Sequence, residues 1–276
     1  MRRQTVFALV AAAGLLAAPG AQPQIINLAG SNTDQPIEVF ADNGIEWVKS
    51  DETLIARGNA KAVRGDVTVL ANVLRAFYTP REEGGTDLTR LDAEGDVKIT
   101  SPTQTITGQA GVYDMTQAIL VISGRQVKFV SGTDVITANQ QMEYYERKQM
   151  AVARGGAKAV HGDKTLSANT LVAYFRKTRD GRSEIHQVDA FNNVDIVTAQ
   201  DRVRSDKGVY NVTSGIATLI GRVRITRGDN VLTGDKAEVN LNTGVSKLLM
   251  EPGVGSSKGG RVRGLIQPHR PASDRQ

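Results

Sequence analysis

One stretch constrains this chain more than any other. RGNAKAVRGDVTVLANVLRAFY, from Arg57 to Tyr78, returns 97 residues later as RGGAKAVHGDKTLSANTLVAYF, from Arg154 to Phe175. Identities fall at the glycines, at Ala60 and Ala157, at Gly65-Asp66 and Gly162-Asp163, and at Ala71-Asn72 and Ala168-Asn169. These are turn residues and small inward positions, so what is copied is a backbone path. A length of 276 residues allows one large domain or two small ones, and the repeat has to decide between them.

Alternation lays out six units, beginning at Gly58, Gly95, Gly124, Gly155, Asn192 and Gly221. Each is a Gly or Asn turn, an alternating strand, a second turn, a second alternating strand, an Ala-Asn or equivalent corner, and a third short run. The spacings of 37, 29, 31, 37 and 29 residues put the true period at three units. Val97 and Ile99 match Val194 and Ile196, Tyr113 matches Tyr210, and Val127 and Phe129 match Val223 and Ile225 one residue short of the full offset. No helical-period segment is longer than about ten residues. Such self-similarity marks a stacked repeat, in which no unit buries its apolar face alone.

Period-2 alternation then assigns faces. The first strands place Ala60 and Ala62, Val97 and Ile99, Val127 and Phe129, Ala157 and Ala159, Val194 and Ile196, and Val223 and Ile225 inward. Between them stand Lys61, Lys98, Lys128, Lys158, Asp195 and Arg224, as a half-buried antiparallel sheet requires. The second strands place Val69, Ile106, Ile136, Leu166, Val203 and Leu232 inward. Each is followed two positions later by a small residue (Ala71, Gly108, Ala138, Ala168, Ser205, Gly234) that suits a sharp bend. Upstream, Pro36 opens one more strand, in which Ile37, Val39 and Ala41 alternate with Glu38 and Phe40.

Composition agrees with many short strands: 28 glycines and only 5% aromatic residues. The absence of cysteine excludes a disulfide framework, a zinc-cysteine site and a catalytic thiol. Residues 1–22 read as a secretory signal peptide, with Arg2 and Arg3 before the apolar run Val6 to Ala18 and small residues after it. The run is shorter than the ~20 residues a membrane-spanning helix needs. Residues 23–33 read as a linker, 34–250 as one continuous body of two three-unit sets (about 34–150 and 151–250), and 251–276 as a disordered basic tail. The net charge of +5 sits in the leader and the tail, which leaves the body near neutral and gives no support to a nucleic-acid groove.

The chemistry-bearing residues have bland readings. His161, His186 and His269 show no metal-ligand spacing and read as surface residues. Asp163 interrupts the phosphate-loop pattern in Gly162-Asp163-Lys164-Thr165. Asp92, Glu94 and Asp96 read as carboxylates on a solvent-facing edge, and Trp47 as a cap over the open end of the core. No catalytic, metal or cofactor site is expected. What remains is the apolar stripe. Scarce inner aromatics favour an open slot over a closed core, widest at Ala60, Ala62, Val69 and Ala71 and at their copy. Free edges at the Ile37 strand and near Ala237 to Leu249 invite partners.

The segments Thr33-Asp34-Gln35-Pro36-Ile37-Glu38-Val39, Gly58-Asn59-Ala60 with Arg64-Gly65-Asp66, Ala71-Asn72, Thr107-Gly108-Gln109-Ala110 and Gly132 to Tyr145 resemble the OstA-like family. The resemblance runs from about Thr33 to Met150 and recurs from Ala151 to Leu249. It implies an all-β fold, an elongated open β-jellyroll of stacked strand repeats in the periplasm, whose inner face holds lipopolysaccharide acyl chains. It also implies an LptC-like inner-membrane anchor at the N-terminal edge, an LptD-like outer-membrane translocon at the C-terminal edge, and head-to-tail self-association. The family's lipid-contacting positions match Ile37 and Val39. With alternation, the expected lipid-binding set adds Val69, Val97, Ile99, Ile106, Val127, Phe129, Ile136, Leu166, Val194, Ile196, Val223, Ile225 and Leu232. The chain departs from the family in having two three-unit sets where one is usual. The competing readings are a membrane-anchored LptC-like relative, a structural or carbohydrate-binding β-solenoid, and an enzyme on such a solenoid.

Overall fold

A computed structural model describes residues 36–82, 84–179, 183–199, 201–240, 246–249 and 263–265. The expected leader and linker, and most of the tail, lie outside the described residues. The chain runs through β1 (Glu38–Phe40), β2 (Ile45–Val48), β3 (Thr53–Arg64), β4 (Val67–Pro80), β5 (Thr86–Thr100) and β6 (Gln104–Asp114). Four short strands follow, β7 (Ile119–Ser123), β8 (Val127–Ser131), β9 (Asp134–Ala138) and β10 (Gln141–Tyr145). Long strands then resume as β11 (Met150–His161), β12 (Lys164–Lys177), β13 (Ser183–Val197), β14 (Asp201–Asn211), β15 (Ile216–Arg227) and β16 (Asn230–Asn240), closed by β17 (Ser246–Leu249) and β18 (Arg263–Leu265). The only helix among the described residues is a single 3-10 turn at Lys49–Asp51.

All pairing is antiparallel, and each long strand is broken in the middle by a register shift. Between β3 and β4 the shift falls from Arg57 to Ala60, and between β11 and β12 from Arg154 to Ala157. The same break recurs from Glu94 to Val97, Phe191 to Val194 and Ile220 to Val223. At each break two consecutive residues hold positive φ: Gly58 and Asn59, Gly95 and Asp96, Gly155 and Gly156, Asn192 and Asn193, Gly221 and Arg222. These unit boundaries, expected as turns, are bulges inside continuous strands. A bulge bends its strand and sharpens its twist, so every long strand is creased.

The crease divides one ladder into two facing halves. β2 pairs with the first half of β3 and β1 with its second half. The third unit breaks completely at the crease: β7 and β10 carry one half, β8 and β9 the other, and β11 picks up both. At the far end β17 takes one half of β16 and β18 the other. Arg263–Leu265, expected within a disordered tail, is thus an edge strand.

The bend also explains the Ala-Asn motif. Ala60 and Ala71 stand opposite each other at the crease and are buried. The next residue, Asn72, turns outward, where its amide covers Gly95 of the following strand. Asn43 covers Gly58, Gln140 covers Gly155 and Asp206 covers Gly221 in the same way. Inside the bend the two halves touch: a Cβ on Gly108 would stand 2.5 Å from Ile122 of the opposite half. Small residues at the bend are what allow that approach.

Gly155 lies at φ +88, and a Cβ there would meet the Gln140 side chain at 2.5 Å and its backbone nitrogen at 2.9 Å. Gly84, at φ +90 with nothing within 4 Å, serves as control. We expect Gly155→Ala to cost about 2–4 kcal/mol against about 1 kcal/mol for Gly84→Ala, read from urea midpoints. Equal losses would mean that the crease has no special packing.

Candidate functional site

The inner residues of the second half-layer form one uninterrupted row. Val39 stands opposite Ala62, Ala62 opposite Val69, Val69 opposite Ile99 and Ile99 opposite Ile106. The row continues through Phe129, Ile136, Ala159 and Leu166. It then passes along Ile196, Val203, Ile225 and Leu232. Beside it, nearer the crease, run Val97, Val127, Val194 and Val223, each almost fully buried. Fourteen of the fifteen residues singled out from alternation and resemblance therefore lie in two neighbouring rows on one face. The exception is Ile37, which precedes β1 and is exposed.

Space inside the roll is unevenly distributed. A cavity of about 260 Å³ is lined by Ile106, Phe129, Ile136, Leu166, Val194 and Ile196 from that set. It extends along the opposite half past Leu171 and Leu219 to Val239. Val69, Val97, Ile99 and Val127 do not line it and pack with Ala56, Ala60 and Leu74 in the core that also holds Ile106 and Val194, while Val223 and Ile225 pack in a smaller cluster with Leu219 and Ala237, against which Leu232 rests. The expectation that the slot is widest at Ala60, Ala62, Val69 and Ala71 is thus wrong for the first copy. All four are buried in the core. In the second copy Ala159 and Leu166 do line the cavity.

One rung beyond the apolar row the same face turns polar. Gln104 stands opposite Ser131, Ser131 opposite Asp134, and Asp134 opposite His161. His161 Nδ1 contacts Asp134 Oδ1, so His161 is a half-buried partner in the roll, not a free surface residue. Further along, Arg227 donates from Nε and a terminal nitrogen to the two oxygens of Asp201, both at 2.6 Å, and the Asp201 side chain is only 5% exposed. Tyr144 also lines the cavity, and burial followed by the charge of Glu146 pushes its phenol up to about 12, so it stays neutral.

The remaining chemistry-bearing residues are dispersed. Asp92 accepts from Arg90 at 2.6 Å and Glu94 from Arg75 at 2.5 Å, two separate ion pairs and no acid-base couple. Trp47 is 62% exposed and meets Tyr78 edge to face at 6.1 Å, so it lies on the surface and caps nothing. Half-buried His186 lies 6.4 Å from the Tyr174 ring, and His269 is outside the described residues. Among the described residues no group of three His, Asp or Glu side chains could hold a metal ion.

Alternation applied to the first two strands of each unit missed the opposite wall. Leu74, Ala93, Gly111, Ile122, Met142 and Ala153 stand opposite one another there, and the row goes on through Leu171, Ala190, Gly208 and Leu219. Glu143, on the outside of that wall, was missed as well. Its side chain is 4% exposed and accepts from Arg154 at 2.6 Å, Gln141 at 2.6 Å and Tyr145 at 2.7 Å.

A creased antiparallel roll with an apolar interior and open edges is an open β-jellyroll. The profile of the LptA/(LptD N-terminal domain) LPS transport protein family matches residues 38–150 and again 136–245. The chain belongs to this family, the OstA-like family of lipopolysaccharide transport. An uncharacterized protein of Rhizobium meliloti (strain 1021) is 29% identical over 136 residues, covering 48% of this chain and 71% of that one. The crystal structure of LptH, the LptA homologous periplasmic component of the lipopolysaccharide transport device of Pseudomonas aeruginosa, is 12% identical. It covers 87% of this chain and 100% of its own, with a TM-score of 0.23. The family is one of transport proteins, and among the described residues no helix is long and apolar enough to cross a membrane.

Burial works to raise the Glu143 carboxyl, but the hydrogen bonds from Arg154, Gln141 and Tyr145 outweigh it and hold it below its ordinary 4.5. Its contribution to stability is therefore present above that pH and lost as pH falls through the lowered folded value. Glu143→Gln is expected to lose about 1–3 kcal/mol at pH 7, with the gap to the parent closing below pH ~4. A gap that stays constant down to pH 3, measured by urea unfolding, would show that the charge is not what stabilises.

Proposed function

We propose that this protein is a periplasmic, LptA-like bridge that shields lipopolysaccharide acyl chains in its apolar slot on their way between the two membranes. The observation that carries the reading is the unbroken apolar row from Val39 to Leu232, facing a second apolar wall across a cavity. The row crosses from the first set of units into the second without interruption, through β9 and β11. On this reading the two sets act as a single roll, and the duplication lengthened one slot. Fourteen half-strands about 4.8 Å apart make it roughly 60 Å long.

The free edges support a placement of partners at the two ends. Of the eight large apolar side chains exposed among the described residues, six stand at the two ends. Ile37, Phe40, Ile45 and Trp47 are at the β1 and β2 edge, Leu249 and Leu265 at the β17 and β18 edge. Open strands flanked by apolar side chains are suited to strand addition. An LptC-like anchor is assigned to the first edge and an LptD-like translocon to the last, and a second copy joins head to tail through the same edges.

Transfer along the slot needs little driving force. Each buried methylene is worth ~0.8 kcal/mol, so an acyl chain gains roughly 10 kcal/mol on leaving water, whether for the slot or for a bilayer. Slot and membrane nearly balance, and direction comes from the partners.

The proposal is tested by photo-crosslinking in cells. Crosslinkers at Phe129 and Ile196, one in each set and both lining the cavity, should capture lipopolysaccharide. Crosslinkers at their outward neighbours Lys128 and Asp195 should not. Capture at neither inner position refutes acyl shielding, and capture at Phe129 alone refutes a slot shared by both sets.

A further inference from the structure

Among the described residues, Gln104 is the one buried polar side chain on the cavity wall whose hydrogen bonds are wholly unmet. It is 2% exposed, and neither Oε1 nor Nε2 has a partner. It lines the cavity two residues from Ile106 and on the same face of β6, where the apolar row meets the polar rung. Its neighbours on that rung, Asp134 and His161, are occupied with each other. A buried amide left without partners is strongly unfavourable, so the position makes sense where a group arrives to satisfy it.

The chemistry of that group is narrow. A primary amide both donates and accepts, and it is matched by a group that does the same. Within a slot for acyl chains, the groups that both donate and accept are a hydroxyl on the chain and a secondary amide linking the chain to its head. An ester or a bare hydrocarbon offers no donor.

We infer that Gln104 recognises a hydroxyl or amide near the head of an acyl chain, with the rest of the chain lying along Ile106, Phe129, Ile136 and Leu166. The inference rests on the acyl-slot reading and deepens it. A carrier lined only with hydrocarbon would take any lipid of the right width. One buried amide at the rim of the row, beside Ile106, sets the depth to which the chain enters, and selects acyl chains that carry a polar substituent over plain fatty chains. The geometry agrees: the apolar row leads away from Gln104 across successive strands toward Ile196.

The test compares 3-hydroxytetradecanoic acid with tetradecanoic acid, each titrated calorimetrically into the full chain and into its Gln104→Leu variant. The parent should favour the hydroxylated chain by about 5- to 20-fold, the effect of one to two hydrogen bonds. Gln104→Leu should bind the plain chain at least as well as the parent and lose the preference. Its unfolding midpoint should also rise, since an unmet polar group has been removed. Equal affinity of the parent for both acids, the amide being satisfied by water, would overturn the inference and leave the acyl slot standing. A preference that survives Gln104→Leu would overturn it too. Binding of neither acid by the parent would overturn the acyl-slot reading and the inference with it.

Discussion

Two successive left-handed residues in the middle of a strand decide everything else in this molecule. Without them β3 to β6 and β11 to β16 would form one broad twisted sheet with a single apolar face open to water. With them, each strand bends at the same level as its neighbours, and the inner faces of its two ends come to oppose each other. The conformation is costly for residues other than glycine, which is why Gly or Asn stands first in each pair. Asn72, Gln140 and Asp206 cover the bare glycine backbone from outside. Ala60 with Ala71 and Ala157 with Ala168 fill the inside of the bend in the first unit of each set, and a valine faces a small residue there in the others.

Side-chain size then sets where the roll is full and where it is hollow. Where small residues face each other across the first units, the halves meet and pack. In the middle a cavity remains, lined by Phe129, Tyr144 and Phe175. Hollow space with an apolar lining and a polar rim is what an amphiphile requires: hydrocarbon on one side, hydrogen-bonding groups on the other.

The two rows of the predicted wall were legible because strand alternation has a period of two and the repeat fixes its phase six times over. Any slip of one residue would have turned Lys61, Lys98 and Lys128 inward. The opposite wall was less legible, since Leu74, Ile122 and Leu171 lie beyond the crease, where the bulge resets the phase. The boundary glycines were misread as turns, because a bulge and a turn use the same residues and differ only in whether pairing resumes. Polarity at Gln104 and Glu143 depends on which strands lie alongside, and that register is not written in either residue's own neighbourhood. The edge strand at Arg263–Leu265 sits among Gly, Ser and Arg residues that carry no strand signal, and β16 supplies its order.

The structure of the chain with lipopolysaccharide bound measures the central claim most directly. Acyl chains should lie between the two half-layers, against Ile106, Phe129, Ile136, Leu166 and Ile196. Lipid found on the outer face, among Lys98, Lys128 and Lys158, with the interior closed by side chains, would contradict it.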